Sequence, residues 1–327
     1  MIQAVALAVA VLAPARVERS VALMGTTLRL AVEAADRDHG LAASEVAVRA
    51  LERAEARLST WRADGELERL NRTPAGQPVA VSPELRRELR AAAACSVETG
   101  GAFEPGVGPL VAAWGLRGGG RLPSDAEIAV ARRSGGIADL RWHGDRAIRS
   151  RPGLRLEEGG FGKGAGLDAA LAALAADGRA RRATLDLGGQ VALYGSGEVW
   201  LAVADPDQRS RAAIALRVDA GSISTSGNSE HGFVVDGRRY GHILDPRSGR
   251  PAPDFGSVTV WAATALRADC LSTGLYVMGP DRALAWVERH PDVGVLVLER
   301  DAHGWRARVG GTLGGRVRAL AAAVRVE

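Results

Sequence analysis

Apolar and polar positions alternate from residue 17 to residue 32 and break at Met24-Gly25, a pattern that predicts two short strands around a turn. The period then lengthens: Val46, Ala50, Leu51, Ala54 and Leu58 fall on one face at helical spacing, with Ser44 as the expected cap. Ser82 followed by Pro83 predicts the start of a second amphipathic helix, which Gly100-Gly101 ends after Thr99. A third, shorter helix is expected over 123–135. Strand-like runs follow at 140–148 and 154–157, then a glycine-rich turn leads into an alanine-rich helix over 167–176. Short apolar runs at 183–187, 199–204 and 213–218 predict further strands, and 268–278 predicts another helix. Blocks of helix plus strand thus occur twice with no clean linker. The expected fold is α+β, a single compact unit of two interlocking α/β halves with mixed, largely antiparallel sheets.

A hydrophobic content of 46% in 327 residues is enough to bury a sizeable core. The 42 basic and 38 acidic side chains nearly cancel, and the arginines form no stripe interleaved with aromatics, so nucleic acid is not an expected partner. Residues 4–12 are apolar and Ala13-Pro14-Ala15 follows, which resembles a secretory leader and its cleavage site. Residues 1–15 are therefore expected to be a signal peptide ahead of one domain at 16–327, in an exported, periplasmic or extracytoplasmic protein. A positive n-region is missing, which leaves a buried first strand as the alternative. No stretch after the leader has the roughly 20 apolar residues of a membrane span. The two cysteines, Cys95 and Cys270, have no metal-ligand spacing; one disulfide is arithmetically possible, but the sequence does not tell whether they meet.

Nearly every cation is arginine, and the chain's single lysine, Lys163, lies within the glycine-rich stretch 159–166. An ammonium is a slim point charge that fits near a phosphate or a tight backbone loop where a guanidinium does not. The stretch is not a Walker A loop, because Glu158 and Gly164 stand where glycine and Ser/Thr are needed. Gly164, Gly166 and Ala169 do satisfy G-x-G-x-x-A, with Asp186 near the place of a ribose-binding acid, so a Rossmann-type oxidoreductase stays open. His242 precedes the turn Asp245-Pro246-Arg247-Ser248-Gly249 and is either structural or a group that takes a proton near neutral pH. Asp269 and Thr273 are i and i+4; on one helix face they offer a carboxylate and a hydroxyl, hard ligands suited to Mg²⁺.

Together and in order, these segments resemble the FAD:protein FMN transferase (ApbE) family over nearly the whole chain. The likeness is carried by Met24-Gly25-Thr26, by Ser59-Thr60-Trp61-Arg62 running on to Leu70-Asn71, and by Gly101-Ala102-Phe103-Glu104-Pro105 with Trp114-Gly115. The glycine-lysine stretch, Thr225-Ser226-Gly227, His242-Ile243-Leu244-Asp245-Pro246, and Ala268-Asp269 with Thr273 complete it. The resemblance implies an ApbE-like, T-fold-related architecture and Mg²⁺-dependent transfer of FMN from FAD to a Thr or Ser of an acceptor flavoprotein, with release of AMP. It implies that Met24, Trp61, Ala102, Phe103, Glu104, Glu157, Lys163 and Ile243 hold FAD. It further implies that Gly160 through its carbonyl, Asp269 and Thr273 hold Mg²⁺, and that His242 is the base. Implied acceptors are subunits of respiratory Nqr- or Rnf-like complexes or related flavoproteins. A Mg²⁺-dependent FAD pyrophosphatase would use the same site with water as nucleophile, and a non-catalytic flavin carrier would return FAD whole. Glu104 and Glu157 stand where the family usually has Asp, and Asn228-Ser229 replaces its common acidic-aromatic pair.

Overall fold

The computed structural model describes residues 14–228 and 232–327. Nine strands form a large sheet whose spatial order follows the chain: β1 Ala15–Leu23, β2 Thr26–Ala34, β3 Ala180–Leu187, β4 Gln190–Tyr194, β5 Gly221–Gly227, β6 Gly256–Ala262, β7 Gly294–Asp301, β8 Gly304–Gly311 and β9 Val324–Val326. All neighbours are antiparallel except β8 and β9. Helices α1 (Arg37–Leu58), α2 (Glu66–Arg72), α3 (Pro83–Glu98), α4 (Gly108–Ala113), α5 (Asp125–Arg132) and α6 (Gly162–Asp177) lie between β2 and β3. Helices α7 (Ala265–Met278) and α8 (Pro280–Val287) lie between β6 and β7. Paired strands, helices and paired strands again therefore occur twice, an α+β architecture of two joined halves.

The β1–β2 turn is two residues long, with Met24 at φ +50° and Gly25 at φ +69°, the left-handed geometry that matches the twist of a tight hairpin. Alternation on β2 then sends Leu28, Leu30 and Val32 to one face, against Ala43, Ala47 and Leu51 of α1 and Leu167 and Leu174 of α6. In the second half Val258, Val260, Val295 and Val297 pack on Leu271 and Leu275 of α7. The sheet's other face is covered by a small three-stranded sheet of Val199–Ala204, Ala212–Val218 and Val317–Ala319, whose Ile214 and Leu216 join Leu296, Leu298 and Trp305. With one face under α6 and α7, the chain's functional loops are confined to the rim where these helices begin and the loops between them meet.

Several local expectations change. Helix α1 starts at Arg37, capped by Asp36, which accepts from the His39 amide; Ser44 is interior and donates back to the Leu41 carbonyl at 2.7 Å. The run 154–157 joins no sheet, because a side chain replaces the neighbouring strand: Asn71 donates to the Leu156 carbonyl at 2.9 Å and accepts from the Leu156 amide at 2.8 Å. Since β3 is antiparallel to both neighbours and no strand leads into α6, the parallel β-α-β unit of a Rossmann site does not form. Helix α6 begins at Gly162, so its glycines are helical rather than a turn. A Cβ on Gly164 would lie 2.3 Å from the Ala265 carbonyl oxygen, and one on Gly166 would lie 3.0 Å from both Leu51 Cδ2 and Met24 Sδ. These glycines let α6 close onto α7 and α1. Of the expected leader, residues 1–13 lie outside the described residues; Ala15 is already paired with Ala34 at the start of β1.

Candidate active site

Where α6 begins, its first turn meets α7 and β5 at a buried polar corner. Asp269 on α7 is only 4% exposed; it accepts from the Gly164 amide at 3.0 Å and from the Ser224 hydroxyl at 3.5 Å. An amide of a helix's first turn has no partner within its own helix, so a carboxylate there completes the hydrogen bonding and meets the positive end of the dipole. The same helices are tied a second time: Asp168 of α6 accepts from the Ala265 and Leu266 amides at 2.7 and 2.9 Å and caps α7, whose own Thr264 gives no side-chain cap. Burial pushes the Asp168 carboxyl up, against the two amides that hold it down. Around Asp269 the hydroxyls link up, Ser226 with Ser272 at 2.9 Å and with Thr273 at 3.4 Å, and Thr273 donates to the Asp269 carbonyl at 3.3 Å. Gly160 abuts this corner, since a Cβ there would sit 3.4 Å from Thr273 Oγ1 and 3.0 Å from the Phe103 ring.

In front of Thr273 opens a cavity of about 830 Å³, within the range of sites that enclose a cofactor-sized ligand. Phe103, Ile243 and Gly160 belong to its inner wall, and Trp61, Arg117 and Glu157 to one lip. Arg117 pairs with Glu157, donates to the Thr60 carbonyl at 2.9 Å, and lies over the Trp61 ring at 4.5 Å. Burial raises the Glu157 carboxyl, and the Arg117 hydrogen bond and charge oppose that rise. The other lip is a hairpin of Gly232–Val235 and Arg238–Gly241, which presents Phe233, Val234 and Arg239 to the cavity. Phe233 stacks on Tyr240 with centroids 5.5 Å apart, and Trp114 packs against both, which fixes the hairpin to the end of α4.

Of the residues named from the sequence, Trp61, Ala102, Phe103, Glu104, Glu157, Gly160, His242, Ile243 and Thr273 line this cavity. Asp269 sits behind Thr273. Met24 lies under the first turn of α6, where its amide donates to Glu55 and its sulfur faces Gly166; Lys163 is half-buried on that turn, and neither lines the cavity. The longer Glu104 fits because Gly106 and Gly136 have no side chains: a Cβ on either would come within 2.8 Å of its carboxylate. Its Oε1 accepts from the Gly106 and Ile137 amides, both at 2.7 Å, while burial pushes the carboxyl up. Asn228 is buried and braces the histidine loop, accepting from the Ile243 amide at 3.4 Å and donating to the Ala252 carbonyl at 3.0 Å; Ser229 lies outside the described residues. Arg117 and Phe233 escape a reading of the sequence. One signal was available for Arg117, the run Gly118-Gly119-Gly120 that follows it; Gly120 lies against the Phe233 ring, where a Cβ would come within 2.1 Å.

Comparison with known proteins places this site in a family. The ApbE family model matches residues 24–297, a span that includes all of the residues named above as candidates. The FAD:protein FMN transferase of Vibrio cholerae is 34% identical over 263 residues, 77% of this chain and 78% of its own length, and that of Salmonella typhimurium is 30% identical over 86% and 84%. Among solved structures, the ApbE protein of Thermotoga maritima superposes with a TM-score of 0.80 at 29% identity, covering 87% of this chain and 94% of its own. The flavin transferase ApbE of Vibrio cholerae does so with a TM-score of 0.78 at 28% identity, covering 93% and 100%. Family model, relatives and folds agree over most of the molecule, and this chain belongs to the ApbE family of flavin transferases.

Proposed function

We propose that the protein moves FMN from FAD to a threonine or serine hydroxyl of an acceptor flavoprotein, forming a phosphoester and releasing AMP, with Mg²⁺ as cofactor. The observation that carries this reading is the junction of one deep cavity with a buried corner of hard oxygens, Asp269, Thr273 and Ser226 beside Gly160. One carboxylate with hydroxyls and a nearby backbone carbonyl suits Mg²⁺, which keeps positions for water and substrate phosphate. Asp269, Thr273 and the Gly160 carbonyl are the groups that would hold it. Bound there, Mg²⁺ would neutralise pyrophosphate charge and the charge that grows on departing AMP.

The chain's own residues supply the rest. The Phe103 and Ile243 wall and the Trp61 lip give the flavin and adenine rings apolar and aromatic surfaces. His242 at the cavity wall takes the proton of the acceptor hydroxyl, whose oxygen attacks the FMN phosphorus; the bond from that phosphorus to the bridging oxygen breaks, and AMP leaves with it. Lys163, on the first turn of α6, adds positive charge near that end of the site. Acceptors of the respiratory Nqr or Rnf kind, met outside the cytoplasm, fit this chemistry. The test is incubation with FAD, Mg²⁺ and a flavoprotein subunit carrying a Thr or Ser site. Covalent flavin and AMP are expected in equal amounts, and neither in EDTA. AMP with free FMN and no covalent flavin would make the protein a pyrophosphatase, and intact FAD would make it a carrier.

A further inference from the structure

Helices α6 and α7 cap one another. Asp269 of α7 accepts from the Gly164 amide in the first turn of α6 at 3.0 Å, and Asp168 of α6 accepts from the Ala265 and Leu266 amides that open α7 at 2.7 and 2.9 Å. In each helix the gripped amide and the gripping carboxylate are four positions apart, Gly164 with Asp168 and Ala265 with Asp269, so the second turn of each serves the first turn of the other. The two carboxylates differ in what surrounds them. Asp269 adjoins Thr273 and the cavity, whereas half-buried Asp168 has only the two α7 amides as partners among the described residues. Nothing local replaces it: Thr264, at the cap position, makes no side-chain bond to the helix, and Ala265 and Leu266 are both buried from water. The Ala265 carbonyl is held as well, by buried Gln190, which donates to it at 2.8 Å, and by the missing Cβ of Gly164, which lets it close on α6. Asp269 and Thr273 follow Ala265 by one and two turns on the same face, so the placement of that first turn is also theirs.

We propose that Asp168 is a positioning residue for the Mg²⁺ site: by holding the first turn of α7 against α6 it keeps Asp269 and Thr273 in register with Gly160 and so sets the affinity for the metal, acting only through the backbone of α7. The inference rests on the Mg²⁺ reading proposed above. Without the Asp168 carboxylate two buried amides lose their acceptor, and a buried amide left unpaired is costly enough that the turn relaxes toward water. Asp269 and Thr273 move with it, and the metal then binds only the fraction of chains in which the turn is restored, which weakens binding by that fraction. Groups that orient metal ligands without ligating contribute 10–100-fold to affinity; a group acting at one remove, through the backbone, belongs at the lower end, roughly tenfold.

Melting curves over a series of Mg²⁺ concentrations test this, because an ion that binds only the folded chain raises the melting temperature from about its dissociation constant upward. Asp168→Asn keeps the shape but sets a donor against one of the two amides. Its melting temperature should begin to rise at a roughly tenfold higher Mg²⁺ concentration than that of wild type. The Mg²⁺ needed for half-maximal covalent flavin should move by the same factor, with KM for FAD at saturating Mg²⁺ within about twofold of wild type. Asp36→Ala, which removes the cap of α1, is the control: it should lower the melting temperature and leave the Mg²⁺ dependence unchanged. An Asp168→Asn chain that melts lower by one constant amount at every Mg²⁺ concentration would overturn the proposal and leave the metal reading standing; a wild-type chain indifferent to Mg²⁺ would remove both. If the variant does not fold, amide exchange in the wild-type chain decides. Coupling is reciprocal, so saturating Mg²⁺ should slow exchange at Ala265 and Leu266 roughly tenfold relative to His39. Exchange at those two amides that Mg²⁺ leaves unchanged would sink the proposal.

Discussion

The two sides of the cavity are built on different principles. At the inner corner, position is set by backbone: Gly164 brings α6 against α7, its amide grips Asp269, and Asp168 caps the facing helix. At the lip, position is set by long side chains: Arg117 holds Glu157, Thr60 and Trp61, and the 68% exposed Trp61 ring has little else to rest on. A backbone-built corner tolerates almost no substitution, while a side-chain-built lip can be altered piecemeal. The corner suits groups that must meet charge at fixed positions, and the lip suits rings that need only a surface.

That contrast predicts the largest loss at Asp269. Asp269→Asn keeps the shape but removes the charge, and covalent-flavin yield at fixed Mg²⁺ should fall on the order of 10²–10³-fold, as for loss of a preorganised electrostatic group. A yield within twofold of wild type, with the variant folded, would reduce the corner to a structural device. The next effect is on stability. Gly164→Ala gains about 1 kcal/mol of helix propensity, yet its methyl would meet the Ala265 carbonyl oxygen at 2.3 Å. Overpacking against backbone costs about 3 kcal/mol, so denaturant unfolding should show a net loss of about 2 kcal/mol. An unchanged midpoint would mean that α6 and α7 can part freely.

At the lip the effects shrink and become pH-dependent. Arg117→Ala leaves Glu157 in its partly buried place with only the more distant Arg155, at 3.7 Å, as a cation, at a cost of about 1–2 kcal/mol near pH 7, below the range for fully buried pairs because Arg155 remains and both partners keep some solvent. Burial already lifts the Glu157 carboxyl above its ordinary 4.5, and loss of Arg117 lifts it further. The variant's deficit should therefore be smallest below about pH 4.5, where the carboxyl is protonated in every state, and widen as pH rises through the folded-state pKa. Melting curves from pH 4 to 8 check this, and a deficit constant across that range would remove Glu157 as its cause.

The same contrast explains what the sequence reveals. Helical spacing is a local signal, so the helix bearing Asp269 and Thr273 and the body of α6 are legible, as is the doubling of strand and helix blocks; the first turn of α6, made of glycines that read as a loop, is not. Illegible features rest on partners far along the chain. The run 154–157 has a strand's composition, but Asn71, 85 positions away, occupies the place of its neighbour. Arg117 is one arginine among many until the fold sets it beside Glu157, 40 positions on. Ser44 is a good cap by type, but Asp36 lies a few residues earlier with an amide to accept from, and the helix lengthens to meet it.

The smallest predicted effect is at Trp61. Its ring is mostly in solvent and touches the described chain chiefly through the Arg117 guanidinium, so Trp61→Ala should leave the unfolding midpoint within about 0.5 kcal/mol of wild type. A ring stacked on a ligand contributes about 0.5–1.5 kcal/mol, so KM for FAD should rise roughly 3–10-fold. Such a surface holds substrate and transition state alike, because the rings of FAD do not change while phosphorus transfers; kcat should therefore stay within about twofold. A fall in kcat matching the rise in KM would mean that Trp61 orients the phosphate as well as the ring. The lip would then act with the corner, and the division between a fixed interior and an adjustable rim would fail.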